Sequence, residues 1–216
     1  MAAPACAHQA ETKRLPGPVC PDVIDFAPVR RKEKALQDLA EGMTRDELAR
    51  LASEMCDIFL ELVAEASDSD VTFVPEDADA NDTFAATAEE VNMPWTLGHV
   101  IVHWTASSEE SAALALTLAR GLDVTGRSRY EVPWEQVTAA AFLRERIEES
   151  RRMQLAMLDA WPNQPHLDKT YSPREGARPM NAVVRFLAGL SHADAHRDQV
   201  SDVLAQARAA RSAASA

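Results

Sequence analysis

Glycine is sparse, with 7 among 216 residues, and only 2 tyrosines and 6 phenylalanines stand against an abundance of Ala, Leu, Glu and Arg. Tight hairpins and aromatic-rich strands have little to build on, whereas long helices are favoured. No run of about 18 uninterrupted apolar residues exists, as a membrane-spanning helix requires. The segment Met1 to Ala10 lacks the apolar core of a secretory signal. A cytoplasmic protein is the expectation. Positive charge is also in deficit, with 22 Lys and Arg against 34 Asp and Glu and a formal net charge of −12. Such a surface repels a phosphate backbone and an anionic lipid layer, so neither nucleic acid nor a membrane is an expected partner. The three cysteines, Cys6, Cys20 and Cys56, are an odd number without C-x-x-C spacing. They read as free thiols, with no disulfide framework and no thiolate zinc knuckle. G-x-S-x-G, P-loop and G-x-G-x-x-G motifs are absent, which removes the usual hydrolase, nucleotide and dinucleotide readings.

What is present is an ordinary globular recipe, 46% apolar and 26% charged, long enough to bury one real core. Residues 1–30 carry Pro4, Pro16, Pro18, Pro21 and Pro28 among charges. Proline removes the amide that a helix needs, so an extended N-terminal arm is expected there. A short helix over Arg31 to Glu41, closed by Gly42, is expected next. Thr44-Arg45-Asp46-Glu47 has the pattern of a capping box. It opens a helix whose stripe Leu48, Leu51, Met55, Ile58 and Leu62 recurs every three or four residues, widened by Phe59 and Val63.

Ser67 to Pro94 then holds eight acids and no Lys or Arg over 28 residues, which reads as a long acidic loop. A second helix is expected from Trp95 to Arg120-Gly121, a third over Trp134 to Ala160, and a fourth over Asn181 to Gln206. Their apolar positions include Leu97, Ile101 and Trp104, then Leu143, Ile147, Met157 and Leu158, then Val183, Phe186, Leu190, Val200 and Leu204. Four such helices bury their stripes only against one another, so the expected class is all-α, a four-helix bundle over 31–206 with long crossover loops. The segment 207–216 is small and polar and is expected to be a frayed C-terminal tail.

Four of the six histidines form two i, i+4 pairs, His99 with His103 and His192 with His196. At 100° per residue each pair projects from one helix face about one turn apart, the spacing by which a helix offers two imidazoles to one ion. A single such pair is more often a hydrogen-bonded structural feature. Two pairs on separate helices can line one cleft, and convergent ligands are what Zn²⁺, Ni²⁺ or Fe²⁺ requires. Residue 193 is Ala, where H-E-x-x-H would place its glutamate base, so a zincin protease is excluded.

The stretch Trp95-Thr96-Leu97-Gly98-His99-Val100-Ile101-Val102-His103, with the later His192-Ala193-Asp194-Ala195-His196-Arg197-Asp198-Gln199-Val200, resembles the DinB-like (DinB/YfiT) superfamily. Its members open their second helix with Trp, carry a His eight positions on, and end on a helix reading H-x-x-x-H-R-x-Q-hydrophobic. The resemblance implies a frequently dimeric four-helix bundle, here a homodimer, with His103, His192 and His196 as ligands of a divalent metal. It also implies an enzyme that activates a low-molecular-weight thiol for transfer, or a water for hydrolysis. A non-catalytic metal- or ligand-binding bundle in stress response is the alternative. His99 stands outside the three-His pattern, as a fourth ligand, an outer group or a packing residue. Arg185, seven residues before His192, is a candidate for holding a substrate carboxylate. Glu110 lies about 10 Å along the helix from His103, too far to ligate the same ion; a solvated carboxylate is expected there, with an outer group or general base as the alternative.

Overall fold

The computed structural model describes residues 24–82, 88–126 and 129–214. Helices run in the order α1 (Ala27–Arg30), α2 (Leu36–Ala40), α3 (Arg45–Leu62), α4 (Asp68–Val71), α5 (Leu97–Ala119), α6 (Ala140–Asp159), α7 (Ala182–Ala195) and α8 (Arg197–Ala214), with a 3₁₀ turn at Trp134–Gln136 between α5 and α6. Among the described residues no β-strand occurs beyond one isolated antiparallel bridge, Tyr171 with Met180. No described helix is long and apolar enough to cross a membrane.

Thr44 caps α3 as its sequence predicts: Glu47 N donates to Thr44 Oγ1 (3.2 Å) and Thr44 N donates to Glu47 Oε2 (2.7 Å). Leu48, Leu51, Met55, Phe59 and Val63 are buried, while Ile58 and Leu62 are only partly so. The core face of α3 is therefore turned toward Phe59, whose ring stacks on Trp104 of α5 at 4.3 Å. α5 is apolar around most of its circumference and lies at the centre, against α6 on one side and α7 on the other. α3 touches the same two helices and closes the bundle. Gly121 ends α5 at φ +77, the left-handed conformation that a glycine adopts without penalty.

Several expectations are corrected. The fourth helix is two: α7 stops at Ala195 and α8 starts at Arg197. At His196 the amide turns back to Ala193 O (2.9 Å), tightening the turn. Asp194, two residues earlier, is clamped by Arg197 (3.0 Å) and by Arg30 of α1. The segment 207–216 is no frayed tail through Ala214, because α8 continues to that residue. Arg211 donates to the buried carboxylate of Asp70 and to Ser67 Oγ (2.7 Å), partners more than 140 residues away. Of the expected arm, 1–23 lies outside the described residues. Its end is not extended: Phe26 is buried, α1 follows, and Arg30 docks on α7.

The helix expected over 31–41 is reduced to α2. The third long helix begins at Ala140 instead of Trp134, where Asp68 Oδ1 accepts from Ala140 N (2.8 Å). That same Asp68 opens α4 inside the loop expected to be wholly irregular, with Ser67 and Asp70 forming its cap. The acidic loop is then pinned to α8 by Gln206, which bonds Glu76 N (2.8 Å) and Glu76 O (3.1 Å). This brings Asp77 to Asp82 over one end of the bundle.

Candidate metal centre

α5 and α7 form the most extensive helix pairing in the molecule, and small residues let them approach closely. A Cβ placed on Gly189 would lie 2.6 Å from Ser111 Cβ, so only glycine fits there. Ser108 Oγ also reaches Gly189 O at 3.4 Å. One turn beyond this contact the side chains of His103 and His192 meet, with their Nε2 atoms 3.1 Å apart. His196 joins them from the α7–α8 junction, its ring 4.7 Å from His192 and 5.1 Å from His103 between centroids.

Each of the three imidazoles offers one ring nitrogen within 4.8 Å of the other two. Among the described residues this is the one group of three or more His, Cys, Asp or Glu side chains that converges in this way. Two imidazole nitrogens in a tetrahedral site with Zn–N of about 2.0–2.1 Å stand about 3.4 Å apart, so the spacing suits such an ion. Two of the donors are also held in the unprotonated form that binds a cation. Burial, reinforced by the neighbouring imidazoles, pushes His192 down to about 3. Burial likewise takes His196 to about 4, even though Gln199 favours its charged form. Both present unprotonated lone pairs at neutral pH. Gln199 Oε1 accepts from His196 Nδ1 (2.8 Å), which leaves His196 Nε2 bare. A borderline divalent cation fits this donor set.

The triad lies at the side of a cavity of about 330 Å³ whose wall includes Trp95, Met93 and Gln199 and whose rim carries Asp77, Asp79 and Asp82. Trp95 stacks beside His196 at 6.0 Å and tilts over His103 at 4.5 Å. Its position follows from local sequence. Thr96 caps α5 by accepting from His99 N (3.2 Å), so Trp95 stands just ahead of the first turn, against side chains four and eight residues on.

His99 goes elsewhere. Its ring is sandwiched between Trp95 (4.3 Å, 22°) and Trp134 (5.2 Å, 8°), and burial lowers it to about 4. Its Nδ1 is buried without a hydrogen-bond partner. His99 lines an adjoining cavity of about 310 Å³ together with Arg129, Glu131 and Trp134. Arg185 stands near enough to His192 to help depress its pKa but is outside the lining of either cavity. Glu110 is buried and lines a separate, more apolar cavity of about 490 Å³ between α5 and α6, with Phe142, Met153 and Met157.

Sequence reasoning missed two neighbours of the triad, Arg129 and Glu131. Arg129 Nη2 stands 2.8 Å from His103 Nδ1 and pairs with Glu131, whose Oε2 is 3.7 Å from the same nitrogen. Burial alone would raise Glu131, but His103 and Arg129 hold it below the usual carboxylate range. Both residues lie in the irregular segment after α5, where no periodicity marks a side chain that faces inward. Gln199 did carry a signal, three residues after His196 on the same column. Cys56 is buried, and burial pushes its thiol up to about 12, in keeping with an unreactive core residue.

Comparison with family models, with curated proteins and with solved structures finds no match to this chain.

Proposed function

We propose that the chain is a divalent-metal-dependent enzyme of the DinB-like kind, a four-helix bundle in which His103, His192 and His196 hold one Zn²⁺, Ni²⁺ or Fe²⁺. Its most fitting reaction is transfer of a low-molecular-weight thiol to an electrophile, with hydrolysis by an activated water as the nearest variant. The observation that carries this reading is the convergence of three imidazole nitrogens at the side of an open cavity.

What a bound ion supplies is Lewis acidity, which lowers the pKa of a thiol or water beside it toward neutrality. The chain supplies the rest. Three neutral imidazoles leave the cation its full charge, which favours an anionic nucleophile. Gln199 fixes the His196 ring, and Trp95 walls the triad away from water on one side. The carboxylates at the rim disfavour a polyanionic substrate and suit a neutral or zwitterionic one. A closed structural site is less well served, since His99, the fourth histidine of the two pairs, lies in the tryptophan stack and outside the converging set. A homodimer is the proposed assembly.

Metal-loaded protein incubated with a panel of small thiols and chloronitrobenzene tests the reaction. Acceleration with at least one thiol, abolished by His192→Ala, is the expected result. No acceleration with any thiol, in protein shown to carry its metal, removes the transferase reading and leaves hydrolysis to be assayed with activated esters.

A further inference from the structure

Resting on the metal reading above, we infer that Arg129 and Glu131 gate loading of the site by setting which nitrogen of His103 carries its proton. Arg129 holds the ring in the form whose Nε2 is blocked, and Glu131 receives the Nδ1 proton of the form that ligates.

A guanidinium has donors only, so at 2.8 Å it is Arg129 Nη2 that donates and His103 Nδ1 that accepts. A ring accepting at Nδ1 carries its proton on Nε2. That N–H faces His192 Nε2 at 3.1 Å, which accepts it, so His192 holds its own proton on Nδ1. His196 does the same, donating from Nδ1 to Gln199 Oε1 at 2.8 Å. In two of the three histidines Nε2 is therefore already unprotonated, and in His103 alone it is not.

Loading requires His103 to exchange forms without a net change in protonation: Nε2 gives its proton to water and Nδ1 takes one from water. The new Nδ1–H needs an acceptor, and Glu131 Oε2 is 3.7 Å away, already paired with Arg129. A small shift that slides the guanidinium off Nδ1 while keeping its ion pair completes a carboxylate–imidazole–metal arrangement. Such outer acceptors orient the ligand and raise its basicity, and their loss typically costs about 10–100-fold in metal affinity. Arg129 thus opposes loading and Glu131 supports it, although the two are bonded to each other.

Long-range ¹H–¹⁵N correlation of the imidazoles, in metal-free protein and after one equivalent of Zn²⁺, reads the tautomers directly and needs no variant. His103 is expected to be protonated on Nε2 before zinc and on Nδ1 after it, while His192 and His196 keep their proton on Nδ1 throughout. Chelator competition on folded variants, with helicity checked by circular dichroism, gives the second reading. Arg129→Met should bind Zn²⁺ several-fold more tightly and show the Nδ1–H form of His103 before loading, and Glu131→Leu should bind about 10–100-fold more weakly. Zinc that shifts all three rings while His103 keeps one form throughout, or variants with unaltered affinity, overturns the gate but leaves the metal site standing. Zinc that shifts none of the rings overturns the metal site, and the gate with it.

Discussion

His99 and His103 are one turn apart on α5, yet they do different work because of what lies on either side of them. His103 faces His192 and His196, whereas His99 is held flat between two indoles. His99→Phe, which keeps a flat ring in that stack, is therefore expected to retain the full metal content of the wild type, measured by elemental analysis. Loss of metal in that variant would make His99 a ligand. Cys56 offers a second check at this scale. Its thiol, raised to about 12 by burial, should resist alkylation at pH 8 in the folded protein and react at once in denaturant. Peptide mapping of the alkylated protein follows Cys56 separately from other thiols, and rapid labelling in the folded state would contradict its burial.

At the scale of the helix, what was legible in the sequence is what local spacing controls. The Thr44 cap, the apolar faces of α3, α5, α6 and α7, the glycine stop at Gly121 and the two histidine columns all depend on neighbours within about one turn. The break at His196, the extension of α8 to Ala214, the late start of α6 and the inward turn of Arg129 and Glu131 depend on partners tens to more than a hundred residues away. Nothing in the local pattern of Ala207 to Ala214 announces that Arg211 will find Asp70. Arg211→Ala tests that contact. It leaves a buried carboxylate without its main counter-charge, at a cost of about 1–3 kcal/mol, and should fray the last turns of α8, visible as faster amide exchange over 208–214. Unchanged exchange there would show the pair to be idle. A second element-level test is Gly189→Leu. Its side chain has no room against Ser111, so α5 and α7 must separate, weakening metal binding while most helicity survives.

For the molecule as a whole, burying imidazoles carries a pH-dependent cost whenever no cation is bound among them. His192 at about 3, with His99 and His196 at about 4, lie well below an ordinary histidine. The unfolded chain therefore binds more protons than the folded one between about pH 6.5 and 4. Stability that is fully present above about pH 6.5 should drain away as the pH falls through this window, and the melting temperature of metal-free protein should drop with it. A melting temperature flat across that window would contradict the burial of the histidines. Zn²⁺ at a hundredfold excess over its dissociation constant adds about 2.7 kcal/mol, which raises Tm by about 5–10 °C for a chain of this size. Sedimentation at micromolar concentration checks the homodimer, and a monomer would remove that element of the resemblance. The proposed chemistry, however, depends on one ion. The most direct measurement is elemental analysis of untagged protein, wild type beside His103→Ala, His192→Ala and His196→Ala, with helicity followed in each. About one divalent metal per chain in the wild type, lost in all three folded variants, is the expected result. No metal in the wild type after incubation with Zn²⁺, Ni²⁺ or Fe²⁺, or undiminished metal in the variants, would contradict it and reduce the three histidines to packing residues.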